Sequence, residues 1–467
     1  MTAVVVGGGF AVAAVAGKVG GGGTQPEDVL PASSVAYADV DFDPSLGQKV
    51  AAVRFLRHFP DARKEVSEDD DLRKVIVDAL TGDSGKVDFR RDVEPWLGQR
   101  LGVALLPSTS RNNEAEAAVA VQVTDEDAAR AGLRKVLAAA PPKDRGRGMA
   151  FRDGYAIVAP DQATADRIAD QDEADALSAR GVFREDMESV TGEGSLSTGW
   201  IDMDAAQQLA KAMTTASSSP FGGGSALRQG RASFALRLDG DDVVEVLGRV
   251  AGSEPFEVTE GPTDLVQKLP TTTVAAFSLT GLGEATAKNW NKVVAADGSE
   301  AATYRQIADS AEAAGFRLPE DLATLLGDAF VLTVDEEGLG NLMPEVGLRT
   351  VTDPARAQDF FDRSADALRS AGAPFTLVHQ RMDDGAVAAT SPQQLQRMQQ
   401  DGGLGDEPKF TRVLPDADDA LFTGYVNFDR LAQAVDDKDL AALGAFGISG
   451  TAEDDGSVDY RVRISVD

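Results

Sequence analysis

The residue types that carry most enzyme chemistry are scarce in this chain. It has 467 residues, no cysteine and two histidines, His58 and His379. The missing Cys removes disulfides, thiolate metal sites, Cys nucleophiles and a lipoprotein anchor together. His58 lies beside the apolar stripe of a predicted helix, and His379 follows the strand-like stretch Phe375 to Val378, so the two share no site. Gly82-Asp83-Ser84-Gly85 matches the nucleophile loop of trypsin-like proteases. That chemistry needs a His in a small-residue strand upstream, whereas His58 falls on a helix. No Ser stands in a G-x-S-x-G elbow, and no Walker-type phosphate loop is present. Val4 to Ala11 resembles a strand entering a dinucleotide-binding turn, but Val12 stands where a small residue is needed, and Glu27 sits in a Pro-flanked stretch. Asp39, Asp41 and Asp43 have the spacing of a calcium loop. Pro44 replaces its Gly and Val50 its closing Glu, and strand alternation gives the same spacing. Glu68 to Asp71 reads as a cap and first-turn acids for a following helix. No carboxylate pair can be singled out from 76 acidic residues. No residue is therefore assigned a catalytic, cofactor-binding or metal-ligating role, and no cofactor is expected.

Composition bounds the partners. Apolar content of 43% and charged content of 26% are those of a globular chain with room for two or three domains. The net charge of −31 argues against nucleic acid, which requires clustered Lys and Arg.

The elements that would position any site repeat along the chain. Leu196 to Ala210 reads LSTGWIDMDAAQQLA and Leu421 to Val435 reads LFTGYVNFDRLAQAV, an offset of 421 − 196 = 225. Val123-Thr124-Asp125 and Val351-Thr352-Asp353 each open an Ala-rich helix, an offset of 351 − 123 = 228. Leu97-Gly98 corresponds to Leu326-Gly327, and Leu30-Pro31 to Leu269-Pro270. Asp153-Gly154 and Asp384-Gly385 mark matching hairpin turns. This pattern predicts two tandem lobes produced by internal duplication.

Ser33 to Phe42 is predicted as a strand, with Ala36, Ala38, Val40 and Phe42 on its apolar face and Tyr37, Asp39 and Asp41 on the other. Ala52, Phe55, Leu56 and Phe59 make one helical stripe, and a second helix is predicted over Asp70 to Leu80. Strands arrive in adjacent pairs between helices. That predicts an α+β fold of antiparallel-rich sheets with helices packed on one face. The residues most alike between copies are Thr198, Gly199 and Asp204, with Thr423, Gly424 and Asp429. Both Asp residues read as helix N-caps at a strand-to-helix junction, and the Thr-Gly pairs as strand packing or a paired ligand-binding edge.

Thr2 to Val19 is almost wholly Val, Ala and Gly, with Lys18 as its one charge, and a Gly-rich run follows. Eighteen helical residues rise about 27 Å, slightly less than the hydrocarbon layer. Residues 1–22 are expected to be a transmembrane anchor or uncleaved signal, although no basic flank precedes them. Residues 23–28 read as a linker, 29–262 as the first repeat and 263–467 as the second.

Leu30-Pro31-Ala32-Ser33-Ser34-Val35-Ala36-Tyr37, Asp41-Phe42-Asp43-Pro44-Ser45 with Gly47-Gln48-Lys49, Pro95-Trp96-Leu97-Gly98 and Thr198-Gly199-Trp200 together resemble an uncharacterised actinobacterial family, domain-of-unknown-function family 3352. The resemblance spans most of the chain after residue 26. It implies a membrane segment ahead of the domain and an extracytoplasmic location, and it supplies no activity or site residues. The expectation is a single-pass protein of the cell membrane with its bulk extracytoplasmic, a non-enzymatic binding or scaffold protein of the envelope. The alternatives are a lipid or small-molecule carrier and a carboxylate-dependent hydrolase.

Overall fold

A computed structural model describes residues 23–42, 45–59, 87–107, 116–140, 146–192, 194–212, 229–252, 258–295, 299–339, 344–435 and 440–467. The apolar segment 1–22, Asp43-Pro44, Glu68 to Asp71, the helix expected at Asp70 to Leu80 and Gly82 to Gly85 lie outside the described residues. The chain divides into compact units between Ser253 and Glu254, where the sequence reading set the join at residue 262. No helix among the described residues is long and apolar enough to cross a membrane.

The first unit runs α1 (Pro26–Val29), β1 (Ala36–Asp41), α2 (Leu46–Leu56), a π turn (Phe89–Val93), β2 (Leu97–Leu106), β3 (Glu116–Val123), α3 (Glu126–Ala139), β4 (Gly148–Arg152), β5 (Tyr155–Ala159), α4 (Gln162–Ala169), α5 (Gly181–Val190), β6 (Ser197–Asp202), α6 (Met203–Ala212), β7 (Arg231–Asp239) and β8 (Val243–Ala251). Its strands lie in the order β8-β7-β6-β1-β2-β3-β5-β4, and neighbours are antiparallel.

Side chains alternate across a strand, and here both faces are covered. Tyr37, Tyr155, Ile157 and Trp200 pack with Ile168 of α4 and Phe183 of α5. Val40, Ala156 and Val158 point the other way, onto Phe89, Trp96 and Ala129 and Leu133 of α3. Helices therefore flank the sheet on both sides, which corrects the expectation of one helical face. Each large side chain removed from water contributes about 1.5–3 kcal/mol, so the second layer adds a second core. The misreading has a physical origin. The second face of β1 carries Tyr37, Asp39 and Asp41, which look solvent-facing by type yet are all buried.

Residues 23–28, read as a linker, pack into this unit. Gln25 N–H donates to Asp28 Oδ2 at 2.6 Å, which closes the first turn of α1. Pro26 and Val29 are buried. Gly102 of β2 lies under Pro26, whose Cβ is 2.3 Å from where a Gly102 Cβ would stand.

The second unit runs β9 (Thr273–Thr280), α7 (Leu282–Ala295), α8 (Ser299–Ala313), α9 (Glu320–Leu326), β10 (Ala329–Asp335), β11 (Val346–Val351), α10 (Pro354–Ser370), β12 (Val378–Arg381), β13 (Gly385–Ala389), α11 (Pro392–Met398), α12 (Pro408–Val413), β14 (Phe422–Asn427), α13 (Phe428–Val435), β15 (Leu443–Ala452) and β16 (Val458–Val466). Its order is β16-β15-β14-β9-β10-β11-β13-β12. With β9 in place of β1, β10 in place of β2 and so on to β16, the order is the one in the first unit.

The registers agree too. Tyr37 opposes Trp200 and Asp39 opposes Thr198, as Ala276 opposes Tyr425 and Ser278 opposes Thr423. Asp125 and Asp353, which close the two Val-Thr-Asp steps, cap α3 and α10 by accepting backbone N–H groups. Two apolar layers recur, with Val387 facing Phe410 and Tyr425, while Ala386 and Ala388 face Phe361 of α10.

Candidate functional site

The Thr-Gly pairs lie on β6 and β14. Each Gly is required by the next strand: a Cβ on Gly199 would stand 2.3 Å from the Phe234 ring, and one on Gly424 2.8 Å from Ile448 Cγ2. Thr198 donates both its N–H (2.7 Å) and its hydroxyl (2.5 Å) to Asp39 Oδ1. The second unit has Ser278 across from Thr423 instead, and Thr423 Oγ1, although buried, has no hydrogen-bond partner among the described residues. The partner chemistry thus differs while the strand packing is kept.

The helix caps fall two residues earlier than expected. Asp202 Oδ1 accepts Ala205 N–H at 3.0 Å and Asn427 Oδ1 accepts Arg430 N–H at 3.2 Å. Because α6 and α13 begin at Met203 and Phe428, the residue just before each helix holds the first-turn amides, which corrects the assignment to Asp204 and Asp429. Asp204 instead accepts Gly230 N–H, and Asp429 pairs with Lys409.

The remaining sequence candidates do not converge. His58 is half-buried just beyond α2. His379, on β12, stacks on Phe361 and has Nε2 3.4 Å from Asp362 Oδ1. Asp41 lies 3.9 Å from Arg100 Nε. No trio of acidic or His side chains suited to a metal ion occurs among the described residues.

The structure does bring together one charged pair that recurs in both units, and sequence reasoning missed it. Asp92, in the π turn, accepts Lys135 Nζ at 2.6 Å and Asp88 N–H at 2.9 Å. Asp321, on α9, accepts Arg363 Nη2 at 2.6 Å and Arg317 N–H at 2.6 Å. The places correspond. Each Asp stands five residues before its Leu-Gly (97 − 92 and 326 − 321), and each cation ten residues after its helix cap (135 − 125 and 363 − 353).

The fields are those of bound anions. The Arg91 and Lys135 side chains, with Asp88 N–H, hold the Asp92 carboxyl well below the usual carboxylate range. At Asp321 burial alone would raise the pKa, but the Arg363 guanidinium and Arg317 N–H outweigh it and leave the pKa lowered. Backbone N–H groups lower Asp353 likewise. The signal available in sequence was an Asp at a fixed distance before Leu-Gly in both copies.

Beside Asp321 the second unit has an open cleft of about 220 Å³ between α8, α9 and α10. Its walls include Ala311, Phe316, Leu318, Leu322, Leu325 and Phe360. The Phe316 and Phe360 ring centres are 5.6 Å apart, and the Arg363 guanidinium lies 5.2 Å from the Phe316 ring centre. Asp321 reaches the lining with both carboxylate oxygens already bonded to Arg363.

The first unit has an indole at the position corresponding to Leu325. Trp96 there is buried and donates its indole N–H to Asp92 O at 2.7 Å. Trp96 lies on Gly132, where a Cβ would stand 2.1 Å from the indole nitrogen. Leu325 and Phe360 hold these two places in the second unit, each directly before Leu-Gly or seven residues after the cap (132 − 125 and 360 − 353). A cleft walled by leucines and phenylalanines can hold an apolar group, and the one carboxylate in its lining is paired with Arg363.

These features define a two-unit α+β protein with an apolar cleft and internally paired charges. Residues 1–152 match the model of a family described as Protein of unknown function (DUF3352). The resemblance read from Leu30 to Tyr37 and from Pro95 to Gly98 falls inside that match, and Thr198-Gly199-Trp200 lies beyond it. No curated protein and no solved structure matches the chain.

Proposed function

We propose that the chain is a membrane-anchored extracytoplasmic protein, built from two duplicated units, that serves as a non-enzymatic binding or scaffold protein of the cell envelope. The observation carrying the binding reading is the charge pair common to both units: its carboxylates are spent on internal cations and amides, and their pKa values are displaced downward. A general acid needs the opposite displacement, and the bonds to Lys135, Arg363 and backbone amides support a framework role for this pair. Shared strand order and matched positions in each unit support the duplication. The apolar run Thr2 to Val19 supports the anchor.

Membrane fractionation with protease shaving of intact cells tests the placement. The full chain in the membrane fraction, trimmed by external protease, is the expected result, and a full-length protein soluble in the cytosol would overturn it. A carrier is the second reading, favoured by the apolar cleft of the second unit. Extraction of the purified ectodomain and mass spectrometry separates them: a stoichiometric small molecule supports the carrier, and its absence with reproducible capture of one envelope component supports the scaffold.

A further inference from the structure

We propose that the second unit holds one buried water molecule among the hydroxyls of Ser278, Thr423 and Ser449, at the place where the first unit sets the Asp39 carboxylate against Thr198. The site lies within the sheet's apolar layer, away from the cleft, and stands whatever the chain binds.

Thr423 Oγ1 is buried and bonds to no described residue. A buried hydroxyl without a partner loses its bonds to solvent uncompensated, and native folds pair nearly all such groups with protein or ordered water. Elsewhere in the same unit the pairing is direct: the buried Thr273 and Thr333 hydroxyls meet at 3.2 Å. Thr423 has no such contact with either of its cross-strand neighbours.

Those neighbours are both hydroxyl residues. Ser278 of β9 and Ser449 of β15 oppose Thr423 from its two sides. Opposed residues project from the same face of a sheet with Cβ atoms about 4.5–5.5 Å apart, a span that one water molecule bridges. All three are 5% exposed or less. Val331, opposite Ser278 on β10, and Tyr425, two residues along β14, belong to the apolar layer, so the row is a polar island inside it. A water there has three hydroxyl partners, about the number a buried water usually takes.

The first unit gives the measure of the space. Its row reads Asp39, Thr198, Ala235. Asp39 Oδ1 accepts both the Thr198 hydroxyl and its N–H. Between that row and Ser278, Thr423, Ser449, the Asp-to-Ser exchange removes two heavy atoms and the Ala-to-Ser exchange returns one. The difference is one heavy atom, which a water oxygen restores. An exchangeable neutral partner thus takes over in the second unit the role of a fixed carboxylate in the first.

A crystal structure of the full chain, at a resolution that orders internal water, is the direct test, paired with hydrogen exchange of Thr423→Val. The expected density is one water oxygen within about 3 Å of Thr423 Oγ1 and of at least one of the two serine Oγ atoms. Val keeps the shape of Thr and removes its bond to water, so peptides spanning β14 and β15 should exchange about fivefold faster. In a Ser278→Ala background the same Val change should accelerate exchange only about twofold, because the water has already lost a partner. Thr423 Oγ1 bonded straight to a serine or a carbonyl, an empty site, exchange that is unchanged or slower in Thr423→Val, or full additivity of the two changes overturns the proposal.

Discussion

Replacing Arg363 by Met should unlock the second unit selectively. Arg363 makes two hydrogen bonds to Asp321, whose side chain is only 10% exposed. Removing one partner of a buried ion pair costs about 3–5 kcal/mol. Arg363 keeps 31% of its side chain in solvent, and Asp321 retains the Arg317 N–H, so the discounted loss is about 2–3 kcal/mol. The pH dependence has a definite sign. The folded-state pKa of Asp321 is lowered, so its contribution is present above the unfolded value and lost as pH falls through the folded one.

In Arg363→Met, burial acts without the guanidinium and raises the Asp321 pKa. The variant's penalty is then full at neutral pH and shrinks on acidification as Asp321 takes up a proton. Hydrogen exchange read by mass spectrometry resolves this by region. Peptides from α9 and α10 should exchange roughly 30- to 150-fold faster at pH 7, and the difference should narrow on acidification, with peptides of the first unit unchanged. Unaltered exchange at pH 7, or a penalty that grows as pH falls, would refute the reasoning.

The steric prediction concerns the two strand glycines: Gly199→Ala should cost about 1–3 kcal/mol in a thermal or urea melt, and Gly424→Ala less, because its obstacle is a single methyl at 2.8 Å instead of a ring at 2.3 Å. Capping predicts that Asn427→Ala loses about 1 kcal/mol independently of salt, whereas Asp429→Ala removes a partly exposed pair with Lys409 worth at most about 1 kcal/mol, an effect that fades in high salt. A chain starting at residue 23 should keep its melting temperature. One starting at residue 30 should lose roughly 2–4 kcal/mol from the first unit, because Pro26 and Val29 are buried and Tyr37 OH gives up its bond to Glu27 Oε2.

Much of the architecture was legible because the sequence patterns occur twice along the chain. The Leu-Gly steps, the capped helices after Asp125 and Asp353, and the Thr-Gly strands all stand in corresponding places in the two sheets. What stayed hidden depends on tertiary context. Tyr37, Asp39 and Asp41 looked like a solvent face, but Glu27 and Thr198 satisfy Tyr37 and Asp39, and helices cover that side. Helix α8 was not read at all, since Ser299 to Ala313 carries few large apolar residues. Asp92 and Lys135 are 43 residues apart, and Asp321 and Arg363 42, a separation at which no local spacing rule operates. That Leu325 and Phe360 of the cleft lining correspond to Trp96 and Gly132 of the first unit emerges only when the two units are aligned element by element.

The central claim, that retained acids serve structure and binding and not catalysis, is tested most directly by assaying the purified chain from residue 23 onward against panels of ester, glycoside, peptide and phosphate substrates. The account predicts turnover no higher than the protein-free blank, and the same for Asp92→Asn and Asp321→Asn. Hydrolysis by the wild-type chain that disappears on replacing one carboxylate would contradict it.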